Sequence, residues 1–171
     1  MVRRPWRAML LLAPIGCGAP PEPEPASPVT VEGAPADLRA LAGLWRGEYL
    51  NQRDQRSGEI VFSLPREGTT GYGRVTFTTP VPPATCPELT RTQPPPAVEP
   101  VRTVLKIGRL VVDRGSVSGW LAPYRDAQYG CWVDTWFEGR LVRDRLEGTF
   151  YSHLAATDTI RTGTWWATRS R

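Results

Sequence analysis

Asp37-Leu38-Arg39-Ala40-Leu41-Ala42-Gly43-Leu44-Trp45 is the stretch on which the fold turns. An aspartate suited to an N-cap, apolar residues at 38, 41 and 42, and a stopping glycine predict one or two helical turns. A strand follows at once, from Leu44. At the other end of the chain, Thr162-Gly163-Thr164-Trp165-Trp166-Ala167-Thr168-Arg169 is rich in threonine and tryptophan and reads as a terminal strand. Between these two ends no segment keeps a helical period.

What fills the interval is a series of short apolar alternations. They predict strands near 44–51, 58–64, 71–78, 102–112, 116–122, 131–140, 145–152 and 161–169. Arg66-Glu67-Gly68, Asp113-Arg114-Gly115 and Arg143-Asp144 supply turn chemistry between neighbouring runs. Gly108, inside the fourth run, predicts a bulge. Eight strands of this kind make an all-β domain, either an eight-stranded antiparallel up-and-down barrel or a β-sandwich. Connection length alternates in a way that suits the barrel. The second, fourth and sixth connections are short (65–70, 113–115 and 141–144), and the others are longer (52–57, 79–101, 123–130 and 153–160). One end is therefore tight and the other elaborated.

The spacing Asp37, Gly43, Trp45 resembles the opening of the lipocalins, where a short helical turn leads into Gly-x-Trp on the first strand. Leu41 stands where that family carries an aromatic residue. The resemblance implies a calycin-type barrel whose base is built by Gly43 and Trp45, with an arginine of the last strand over the Trp45 ring. Arg169 occupies that position, and a cation over an aromatic face is its physical role. The resemblance further implies a module that binds a small ligand, or an inhibitor of an extracellular enzyme.

Upstream, Met1–Arg7 is basic and Ala8–Ala13 is a short apolar run. Pro14-Ile15-Gly16-Cys17 follows, and it resembles the lipobox of bacterial lipoproteins, whose cysteine is diacylated and becomes the new N-terminus. That resemblance implies a signal peptide over 1–16, lipidation at Cys17 and a lipid-anchored place in the bacterial cell envelope. With Gly18 next in line, it implies the outer membrane. Ordinary cleavage after Ala19, or a tail with an incidental cysteine, are the alternatives. Ala19–Ala36 holds six prolines and three glutamates. It predicts an extended tether over 17–36, with the barrel domain at 37–171.

Once Cys17 is assigned to lipid, Cys86 and Cys131 remain, and both fall at the elaborated end. In an oxidising compartment they are expected to pair. A bridge between them would contribute roughly 4 kcal/mol in the chain-entropy picture; two free buried thiols are the alternative.

Charge and chemistry narrow the function. Twenty-one basic residues stand against 17 acidic ones, and setting aside Arg3, Arg4 and Arg7 leaves 18 against 17. The arginines scatter among acids, so no nucleic-acid partner is expected. No run reaches the roughly 18 apolar residues of a membrane-spanning helix. His153 is the single histidine, and no metal-ligand spacing exists. Gly115-Ser116-Val117-Ser118-Gly119 places valine where a nucleophile elbow needs serine. No enzyme activity, cofactor or metal is expected. Aromatic residues are the richer signal: Trp120, Tyr124, Tyr129 and Trp132 are expected to ring the elaborated end. Trp132 and Trp136 share one strand face, and Cys131, Val133, Thr135 and Phe137 share the other; one of the two lines the interior. The function expected is binding of a small apolar or amphiphilic ligand, with a structural or protein-interaction lipoprotein as alternative.

Overall fold

A computed structural model describes residues 26–51, 56–79, 101–126 and 131–170. It contains strand β1 (Ser27–Gly33), helix α1 (Pro35–Leu41), then β2 (Gly43–Asn51), β3 (Arg56–Leu64), β4 (Thr70–Thr79) and β5 (Val101–Asp113). After these come β6 (Ser116–Arg125), β7 (Trp132–Val142), β8 (Arg145–Leu154) and β9 (Thr159–Arg169). The strands close into one barrel in the order β1-β4-β3-β2-β9-β8-β7-β6-β5. Consecutive strands from β2 to β9 pair antiparallel, and β9 closes on β2. The β-sandwich alternative is thereby excluded.

Eight strands were expected and nine are present. The ninth, β1, comes from the segment expected to be tether. Near one end β4 and β5 part, and β1 fills the gap, antiparallel to Thr70–Gly73 and parallel to Arg109–Val112. Toward the other end β4 and β5 pair directly, from Arg74 with Lys106 to Thr79 with Val101. The register shift at Gly108, between Ile107 and Arg109, falls where β5 changes partner from β4 to β1. Val29 and Val31 supply the physical reason for the extra strand: both are buried in the core. An open seam would leave backbone donors and acceptors unpaired, and a valine-bearing strand satisfies them. The barrel thus begins at Ser27 rather than Asp37.

Helix α1 also starts earlier than the sequence suggested. Pro35 opens it, Ala34 is the N-cap residue, and Asp37 lies in the first turn instead of capping it. Pro35 accounts for the shift, because its fixed φ suits the first helical position. Leu38 and Leu41 turn inward and close the tight end of the barrel. The chain then reverses at Gly43, whose φ of +129° is open to glycine and strained for other residues.

Turns at this end are short. Arg114 and Arg143 adopt positive φ, and Gly115 assists at the first of these turns. The connections after β3, β5 and β7, with α1, lie at the base, and those after β2, β4, β6 and β8 lie at the mouth. Length does not sort them strictly, since 155–158 at the mouth is shorter than 65–69 at the base. At the mouth 52–55, 80–100 and 127–130 fall outside the described residues.

Candidate functional site

The interior divides into a solid lower half and a cavity above it. Trp45, 1% exposed, sits at the base, and its indole Nε1 donates to the carbonyl of Leu41 at 2.8 Å. The Arg169 guanidinium lies 4.9 Å from the Trp45 ring centroid and donates from Nη2 to the carbonyl of Ala40 at 2.7 Å. Both side chains thereby satisfy carbonyls at the end of α1 that have no partner within the helix. Arg169 also packs its aliphatic stem toward Gly43. Above them rings interlock across the barrel. Trp45 stacks on Phe62 at 6.4 Å, Phe62 meets Trp165 edge-on at 6.3 Å, and Trp165 meets Phe137 edge-on at 5.9 Å. Gly139 and Gly148 lie against Trp165, where a side chain on either would collide with the indole. Its Nε1 donates to the carbonyls of Glu138 and Thr149.

Toward the mouth the packing opens into a cavity of about 70 Å³. Ile60, Val75, Phe77, Leu105, Leu121 and Val133 give it an apolar wall. Its polar groups are concentrated near the strand ends. Arg56, at the start of β3, grips Asp126, at the end of β6, in a two-point pair of 2.6 and 2.9 Å. Asp126 is 3% exposed, and its backbone N–H donates to the carbonyl of Cys131 at 2.9 Å. The Arg56 guanidinium also lies 5.5 Å from the Phe77 ring centroid. A second polar group is a chain of hydroxyls: Tyr124 to Thr135 at 3.3 Å, and Thr135 to Ser152 at 2.8 Å. Tyr49, Asn51 and Arg161 complete the polar lining. Burial pushes the phenol of Tyr49 well above its usual range, and Tyr124 beside it adds to the effect. Burial likewise raises Tyr124, against the hydrogen bond from Thr135. Burial favours the protonated form of both phenols, and that of Tyr124 shares a hydrogen bond with Thr135.

The expected aromatic ring does not assemble. Tyr124 lines the cavity, but Trp120 and Trp132 point out of the barrel, with 60% of Trp132 exposed. Tyr129 lies outside the described residues. The cause is a register shift between Leu121 and Tyr124. On a regular strand 120 and 124 share a face; the extra residue sends Tyr124 inward and leaves Trp120 outside. On β7 it is Val133, Thr135 and Phe137 that face inward, and Trp132 and Trp136 that face solvent. Cys131 is buried at the mouth; Cys17 and Cys86 lie outside the described residues.

Asp126 carries no motif in the sequence, and the structure buries it. Its pairing with Arg56, 70 residues away, leaves no local signature in the sequence. Among the described residues no cluster of metal-ligating side chains occurs. Neither a family model, nor a curated protein, nor a solved structure matches this chain.

Proposed function

We propose that this protein is a calycin-like barrel that binds a small amphiphilic molecule in the mouth half of its interior. The observation that carries the reading is the division of that interior, with aromatic packing below and an apolar cavity under a polar rim above. At roughly 10–15 Å³ per water, the cavity takes the equivalent of about five to seven waters, so the ligand part it encloses is small. Apolar walls would hold the hydrocarbon portion, and the Tyr124–Thr135–Ser152 hydroxyls would orient a polar group. No step of covalent chemistry is assigned to the site.

The resemblance of Gly16-Cys17 to a lipobox supports placing this barrel at the bacterial envelope, anchored by lipid on Cys17 and tethered through the proline-rich residues that precede β1. A Cys86–Cys131 bridge at the mouth belongs to the same reading. Native mass spectrometry of the protein purified from its host should show a bound small molecule. Leu105→Trp, which fills the cavity, should expel it. Absence of any bound mass, together with greater stability of Leu105→Trp, would overturn the binding reading. Cys17→Ser should move the protein into a soluble fraction, and unchanged membrane retention would overturn the anchor.

A further inference from the structure

Outside the barrel, one cross-strand row runs through residues that the interior does not use. Glu32 on β1 pairs with Arg109 on β5, and the Arg109 guanidinium lies 5.2 Å from the Trp120 ring centroid. Trp120 stands opposite Trp136 on β7, and Trp136 stands opposite Tyr151 on β8. The three residues are 37%, 48% and 42% exposed, so three large aromatic side chains reach solvent on adjacent strands, with Arg109 over the Trp120 ring. A groove of about 230 Å³ lies among them, with Ser118 and Glu138 on its walls. The bulge at Gly108 contributes to this surface. A Cβ there would come within 3.0 Å of the Trp120 indole nitrogen.

We propose that this row is a carbohydrate-binding face that takes an uncharged pyranose chain laid across β6, β7 and β8. Strands lie 4.7–4.9 Å apart, so three rings in register offer a platform of about 10 Å, long enough for two or three sugar units. Contiguous exposed aromatic surface on a folded domain marks an interaction site. Charge selects the occupant. Arg109 is held by Glu32, which leaves Glu138 as the formal charge of the groove. An anionic bilayer or acidic peptide would meet that carboxylate with like charge. A purely apolar partner would strip its water and return no donor, at a cost. A pyranose supplies both halves of the match: its C–H face covers the rings, and its hydroxyls donate to Glu138 and exchange hydrogen bonds with Ser118.

The test titrates the full chain with cellohexaose, chitohexaose and maltohexaose by calorimetry. At least one should bind with a sub-millimolar constant. Trp136→Ala and Tyr151→Ala should each weaken binding by about tenfold, as loss of a stacked ring does elsewhere. Both positions are solvent-facing, so thermal unfolding of the variants should stay close to that of the parent. Trp136→Phe should keep most of the affinity, and Leu105→Trp should leave it unchanged, which separates this face from the cavity. Three outcomes would overturn the proposal: none of the sugars binding at millimolar concentration, a binding constant that Trp136→Ala leaves unchanged, or self-association or vesicle binding abolished by Trp136→Ala without any sugar binding.

Discussion

Trp45 combines three roles: it fills the base, hydrogen-bonds Leu41 and lies under Arg169. Trp45→Ala should therefore cost about 3–5 kcal/mol in urea unfolding, the range for deleting a large buried ring. Arg169→Ala removes an exposed cation and should cost about 1 kcal/mol. Equal losses would mean that Arg169, not the ring, organises the base. Tyr49 and Tyr124 set the alkaline limit by a different route. Burial raises both phenols above their unfolded value near 10, so the folded state favours the protonated form. Their contribution is complete below about pH 10 and is lost as pH rises from there through the folded values. Absorbance at 295 nm should show a late tyrosine ionisation coincident with unfolding, and Tyr49→Phe with Tyr124→Phe should remove it. Early, reversible ionisation of every tyrosine in folded protein would contradict their burial.

Strand β1 shows how an element is made by its surroundings. Val29-Thr30-Val31 alternates, yet prolines and glutamates around it speak for an extended, unpacked chain. What turns it into a strand is the seam between β4 and β5, a gap that no local pattern reveals. Strands β2 to β9 were legible because each carries its own alternation and its own turn. Val31→Ala should lower stability by about 2 kcal/mol and speed hydrogen exchange at 70–73 and 109–112. Val31→Asp, which buries a charge, should do far more. Exchange at those amides unaffected by either change would mean that the seam holds without β1. The interior half of β6 was illegible for a related reason. A bulge of one residue changes which side chains face inward, and the spacing of Trp120 and Tyr124 does not announce it.

Across the whole molecule, the mouth depends on an ion pair that joins distant strands. Arg56 opens β3 and Asp126 directly follows β6, and the pair is largely shielded, with side-chain exposures of 11% and 4%. Alternation of the connections between two ends made the mouth legible as an end, but its chemistry rests on residues brought together only by closure of the barrel. A shielded pair of this kind contributes little net stability, because desolvation offsets attraction; breaking it leaves an uncompensated charge. Arg56→Met alone and Asp126→Leu alone should each cost about 3–5 kcal/mol, while the double replacement should be close to neutral. A double-mutant cycle in urea measures the coupling directly. If the pair serves only packing, the double variant should also keep any ligand found in the cavity. If it shapes the polar rim, the double variant should fold as well as the parent and still lose that ligand, because the apolar wall and the hydroxyls remain while the charged part of the rim is gone. The second outcome is the one expected, because the side chains of Arg56 and Asp126 both line the cavity.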